Sequence, residues 1–217
     1  MTNHAAGAFR PKSLGEEIAN AVSHGSGAIL AIVGTAIIIY LACANAGGLA
    51  GAIIYGISLT VLYSASCIYH AVTNPRVKRV LRVFDHCSIF LLITGTYAPI
   101  TLILLRDGMG VALFSVIAGC SILGIIVNVI SLERFKTLSM TLYVITGWMA
   151  LLTIRPLLLI STVDQIWLLV GGGLCYTVGI IFYSMDKTRY MHFIWHLFVL
   201  AGSILHYFFI LETCYLC

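Results

Sequence analysis

The sequence predicts an all-α protein, an integral membrane bundle of seven transmembrane helices with its N-terminus cytoplasmic and its C-terminus outside. Three observations carry that prediction. Of the 217 residues, 60% are hydrophobic and only 9% are charged, against about 25% charged in a soluble domain, and the mean hydropathy is +1.03. Apolar runs recur near 26–44, 50–70, 86–105, 110–131, 138–160, 165–184 and 193–212, each close to the roughly 20 residues that a helix needs to cross hydrocarbon. The separators are short and carry turn or charge signals: Asn45 to Gly48, Asn74 to Arg82, Arg106 to Gly108, Glu133 to Lys136, Ser161 to Asp164 and Asp186 to Arg189. Such brief connections require antiparallel neighbours in a compact bundle.

The expected division is a cytoplasmic segment, 1–25, followed by a single transmembrane domain, 26–217. Residues 1–25 include Arg10, Lys12, Glu16, Glu17 and His24 and lack both a continuous apolar stretch and a small-residue cleavage pattern, so no removable signal peptide is expected. The net charge of +4 does not point to nucleic acid, because the basic residues sit in the short loops. They also set the orientation, since Lys and Arg near span ends stay on the cytoplasmic side. Arg10, Lys12, Arg76, Lys78, Arg79, Arg82, Arg134, Lys136, Lys187 and Arg189 fall on one face, leaving Arg106 and Arg155 as the two exceptions among twelve. The expected location is therefore the inner (plasma) membrane, crossed several times.

The seven cysteines are mostly single and embedded in apolar sequence, where Cys behaves as a small hydrophobe. Cys214 and Cys217 form a C-terminal CxxC, a pair only if that end meets an oxidising compartment. Glycines such as Gly47 and Gly51, and the run Gly171 to Gly173, read as places where helices approach closely in lipid. Phosphate-loop and dinucleotide motifs are absent from the sequence.

Against this apolar background a few ionisable residues stand out. His70 closes the second run, Asp85 precedes the third, and His192 and His196 open the last. The predicted orientation brings all four to the cytoplasmic ends of their helices, at one depth. Ionisable groups at the edge of hydrocarbon persist where they face a bundle interior and serve one another or a site. His192 and His196 are four residues apart and project from one helical face about one turn apart, a chelating pair; alone, an HxxxH also fits capping or interfacial roles. With His70 the set becomes three neutral imidazoles and an open position, the pattern of a catalytic zinc site. Thiolates are missing from the group, and calcium or magnesium would want more carboxylates.

Asp85 is placed either as a direct ligand or, the preferred role, as a group that holds a metal-bound water and acts as general base; an N-cap for the third helix is compatible with both. Ser66, one turn before His70, would orient a ligand or polarise a substrate carbonyl, or back-bond within its helix. Glu17, Asn20 and His24 share one face leading into the first span and would close the cytoplasmic mouth of the site, or simply begin the helix in a solvated or interfacial setting. His86, next to Asp85, is expected to point elsewhere, His206 to be a satisfied interior histidine, and Arg155 to snorkel or pair within the bundle.

Ser66-x-x-x-His70, Asp85-His86 after a basic loop, His192-x-x-x-His196, the stretch Glu16 to Gly25 and Gly95-Thr96-Tyr97-Ala98-Pro99 together resemble the hemolysin III proteins and the progestin and adipoQ receptors, which join the alkaline ceramidases in one superfamily. The likeness covers nearly the whole chain and is nearest the bacterial branch. It implies a seven-helix bundle with an intramembrane zinc held by residues that map onto His70, His192 and His196, with Asp85 contacting the zinc-bound water and Ser66 close by. Three functions then compete. One is a zinc-dependent hydrolase of a membrane lipid amide or ester, Asp85 and Ser66 serving catalysis. The second is a noncatalytic membrane regulator or receptor with a structural zinc. The third, suggested by the family name, is a cytolytic pore, which few lumen-type polar residues support. Membrane lipid is the expected partner, as substrate or ligand.

Overall fold

The computed structural model describes residues 12–44, 48–106, 108–185 and 187–216. Arg10, the loop residues 45–47, 107 and 186, and Cys217 lie outside the described residues, and so does any pairing of the C-terminal CxxC. Among the described residues there are helices and short turns but no strand: α1 (Leu14–Ala44), α2 (Leu49–Ala71), α3 (Pro75–Pro99), α4 (Gly108–Ser131), α5 (Lys136–Gly147), α6 (Ile154–Ile160), α7 (Val163–Ser184) and α8 (Met191–Ile210). They make seven spans, because α5 and α6 form one interrupted crossing and α3 and α8 each continue through a π turn, Ile100–Leu104 and Leu211–Tyr215.

Every span expected from the sequence is present, and the largest differences are at the starts. Ser13 and Glu16 form a reciprocal cap in which the Ser13 backbone donates to Glu16 Oε2 at 2.9 Å and the Glu16 backbone to Ser13 Oγ at 3.3 Å. This capping box starts α1 at Leu14, inside the segment expected to precede the bundle. Likewise α3 begins at Pro75, not near residue 86. Asn74 Oδ1 accepts from the Arg76 and Val77 amides at 3.0 and 3.4 Å, with proline at the first helical position, where its missing N–H costs nothing. Asp85 therefore does not cap this helix. It lies in the third turn, buried.

The interruptions have prolines as their cause. Pro156 lacks the N–H that would reach back one turn, and the chain tightens into a 3₁₀ stretch, Met149–Thr153, just before it; Pro99 similarly precedes the π turn that ends α3.

In the bundle, α1 packs on α2 and α8, α2 on α3, α3 on α4, α4 on α5, and α7 on α8. The partition of polarity is the reverse of a soluble protein. Large apolar side chains such as Leu30, Tyr40, Ile130 and Leu159 face outward, while Asn20, Ser23, His24, Ser66, His70, Asp85 and His196 are buried. That is what lipid requires, since hydrocarbon accepts no unpaired polar group. Between apolar helices in lipid the attraction comes from close packing and internal hydrogen bonds. The α7–α8 contact illustrates both. A Cβ on Gly202 would lie 3.1 Å from the Gly172 carbonyl and from the Tyr176 ring, and Tyr176 and Tyr63 hydroxyls each meet Ser203 Oγ at 2.8 Å.

Candidate metal centre

His70 sits in the last turn of α2, and His192 and His196 occupy the first turns of α8, so the ends of two antiparallel spans deliver three imidazoles to one place. Ring centroids are 5.2 Å apart for His70 and His192, 5.1 Å for His70 and His196, and 4.7 Å for His192 and His196. All three residues are buried, and one ring nitrogen from each lies within 4.8 Å of the others.

The hydrogen bonds say which nitrogens are left over. His70 Nδ1 lies 2.6 Å from Glu17 Oε2 and His196 Nδ1 lies 3.2 Å from Ser23 Oγ, whereas Nε2 of His70, His192 and His196 is buried without a hydrogen-bond partner. One orphaned polar atom in an apolar interior is costly, and three together need a common explanation. A shared cation supplies it. Tetrahedral coordination at 2.0–2.1 Å holds ligand nitrogens about 3.3 Å apart, within reach of small ring rotations. Three imidazoles with no thiolate suit zinc or another borderline divalent ion. The group could hold a metal ion.

The surroundings look like supports for ligands. A carboxylate on the far nitrogen of a ligating histidine fixes its tautomer and raises its basicity, and Glu17 stands in that position on His70. Glu17 is itself held by Lys78 Nζ at 3.1 Å, and the same ammonium donates to the Tyr69 and Val72 carbonyls at the end of α2, at 3.2 and 3.1 Å. Asn20 Nδ2 is 3.5 Å from His70 Nδ1. His24 stacks on His196 with centroids 3.5 Å apart and planes at 12°. Thus the α1 face expected to close the mouth of the site instead braces the histidines themselves.

Glu17→Gln should leave the fold intact and weaken metal binding by about 10- to 100-fold, read by competition with a chelator of known affinity; unchanged affinity would show that the Glu17–His70 contact does not tune a ligand.

Two contributors were not singled out from the sequence for these tasks. Ser23, which faces His196, gave no signal beyond a hydroxyl inside an apolar helix. Glu16 Oε1 accepts from the Tyr190 amide at 3.0 Å, and Tyr190 has a positive φ of 63°, so an α1 carboxylate secures the strained residue just before α8 and His192. The capping box was readable; its reach across the bundle was not.

Asp85 does not join the three-histidine group. Asp85 and Ser66 are both buried, and the Ser66 hydroxyl has no hydrogen-bond partner. His86 was expected to point away, but its Nδ1 is 3.7 Å from Asp85 Oδ2. That ring is anchored between the Arg82 carbonyl at 2.9 Å and the Tyr183 hydroxyl at 3.2 Å. Helical spacing separates the two Cβ directions, but the long imidazole swings back. Arg155 is exposed on α6. His206, expected to be satisfied, is only half so: Nε2 meets the Leu169 carbonyl at 3.0 Å, and Nδ1 is buried without a partner.

A cavity of about 130 Å³ opens between α3, α5, α7 and α8, with His24 rather than the three clustered histidines in its wall. His24, Asp85 and His86 line one region of it and Trp148, Tyr176 and His206 another, with mainly apolar side chains between. Across the cavity, Trp148 Nε1 on span five donates to Thr177 Oγ1 on span six at 3.0 Å.

A family profile described as Haemolysin-III related matches residues 12–207, which covers both histidine-bearing helices and everything between them. The chain belongs to the haemolysin-III family. Among its relatives, the haemolysin-III protein of Bacillus cereus called Hemolysin-3 is 42% identical over 200 residues, 90% of each chain. The Hemolysin-3 homolog of Bacillus subtilis is 35% identical over 201 residues, 92% of this chain and 94% of the relative. The likeness extends to human Monocyte to macrophage differentiation factor, 28% identical over 98% of this chain and 91% of the relative. Haemolysin-III membership and seven apolar helices together make this a multi-pass membrane protein.

Proposed function

We propose that this protein is a metal-dependent hydrolase, with zinc the best-fitting ion, that cleaves an amide or ester of a membrane lipid. The observation that carries the reading is the convergence of three orphaned, buried imidazole nitrogens in a bundle where a buried carboxylate, Asp85, lines an apolar cavity. His70, His192 and His196 would hold the ion. When bound, such an ion polarises a carbonyl and makes water a better nucleophile near neutral pH.

The chain's own residues would do the rest. Asp85 takes a proton from the attacking water as its oxygen bonds to the acyl carbon. It then returns that proton to the departing nitrogen or oxygen as the acyl bond breaks, releasing a fatty acid and an amine or alcohol. Ser66, whose buried hydroxyl has no partner, polarises the substrate carbonyl, and His24, whose two nitrogens have no partner, offers a hydrogen bond to the lipid's polar group. The apolar walls hold the acyl chain and exclude bulk water. Because ten of the twelve basic residues flank one side of the predicted topology, the site would face the cytoplasm with the C-terminus outside; a C-terminal reporter active only outside the cytoplasm tests that arrangement.

Zinc-loaded protein incubated with ceramide and phospholipid panels should release fatty acid. A chemically silent panel from metal-replete protein would overturn the reading. One observation favours a second account: the three histidines come from two helices far apart in the chain, α2 and α8, so the ion would also clamp them together. In a purely structural, receptor-like clamp, chelation lowers thermal stability while no lipid turns over. The name Hemolysin-3 borne by a relative suggests a pore, but an interior lined mainly by apolar side chains does not favour water; conductance in pure liposomes would revive it.

A further inference from the structure

The part of the cavity lined by His206 is not uniformly apolar. His206 is buried, 9% exposed, and lines the cavity wall. Its Nε2 is 3.0 Å from the Leu169 carbonyl, which can only accept, so Nε2 carries the proton. A neutral imidazole that donates through one nitrogen accepts through the other, and that other nitrogen, Nδ1, has no partner. The neighbouring hydroxyls of Tyr176 and Tyr63 are committed to Ser203, and the ring lies against Tyr176, centroids 5.4 Å apart. Gly172 makes room for this arrangement, because a Cβ there would collide with the imidazole. The result is an unpaired acceptor on a ring that lines a mainly apolar stretch of the cavity.

We propose that His206 forms a second polar subsite, which selects acyl chains carrying a hydroxyl part-way along their length. This inference rests on the reading of the cavity as an acyl-chain site. Its geometry follows from α8: His196 and His206 are ten residues apart on one continuous helix, which separates them by about 15 Å along the axis. A lipid whose carbonyl reaches the histidine group would therefore present its middle carbons to His206. Only a hydrogen-bond donor satisfies Nδ1, so a hydroxyl fits, whereas a keto oxygen brings a second acceptor and a plain methylene leaves the nitrogen unpaired.

The test uses the purified, zinc-loaded full-length protein in detergent and three probes: stearate, its mid-chain hydroxy derivative and its mid-chain oxo derivative. Binding is measured by competition against a fluorescent fatty acid, independently of turnover. The hydroxy acid should bind about three- to tenfold more tightly than the other two. His206→Leu should equalise all three, and Gly172→Ala, which displaces the ring without removing it, should reduce the preference. Should either variant fail to fold, the ranking on the unaltered protein decides. Equal binding of the three probes overturns the polar subsite and leaves the acyl cavity standing. Binding of none of them overturns the acyl cavity and the subsite with it. A hydroxyl preference that survives in folded His206→Leu assigns the donor's partner elsewhere and contradicts the proposal.

Discussion

His196→Ala will remove the metal from the purified protein, from about one ion per chain to under about a tenth, and will lower its thermal stability. His196 is the most enclosed of the three histidines, fully buried, stacked on His24 and tied through Nδ1 to Ser23. Its loss leaves two imidazoles, His70 and His192, and an unfilled apolar space. Because the free energy of holding a metal is also free energy of folding, the unaltered protein should respond to chelation by unfolding at a lower temperature, whereas His196→Ala should already lie near that lower value and respond little. His70→Ala should behave alike and, in addition, release Glu17 from its contact with the imidazole. A variant that keeps its full metal content would remove His196 from the centre. Elemental analysis beside a thermal unfolding curve reads both effects.

Asp85→Asn separates chemistry from binding. The carboxylate lies outside the three-histidine group and lines the cavity, so the substitution keeps size and packing but removes the proton acceptor. Lipid hydrolysis should fall by about 10²- to 10⁴-fold, the usual contribution of a positioned general base, while metal content stays within error of the unaltered protein. Hydrolysis that persists at its full rate would eliminate the role assigned to Asp85. Loss of metal along with activity would instead make Asp85 a ligand.

The contrast between these residues shows what a sequence exposes. Seven spans were legible because lipid penalises polarity along an entire helix, and each run records that penalty. His70, His192 and His196 were legible for the same reason inverted: an imidazole at the margin of an apolar run has few bland explanations, and predicted topology gave all three one depth. Helix starts were not legible from apolarity. The first ten residues of α3 carry Arg76, Lys78, Arg79 and Arg82, which hid the opening turns and made Asp85 look like a cap, although Asn74-Pro75 held the true signal. The bracing role of α1 was half visible. The shared face of Glu17, Asn20 and His24 could be read from helical spacing, but their partner could not, because which span packs beside α1 depends on tertiary contacts. The unpaired nitrogen of His206 depends on where the Leu169 carbonyl falls across α7, and no pattern within α8 reveals it.

The central claim is that imidazoles from α2 and α8 grip one ion. X-ray absorption at the zinc edge of the purified, zinc-loaded protein measures this most directly. Three imidazole nitrogens at about 2.0–2.1 Å in the unaltered protein, a shell that disappears with the bound zinc in His70→Ala, is the predicted result. A first shell containing sulfur, or one that His70→Ala leaves unchanged, would contradict the account.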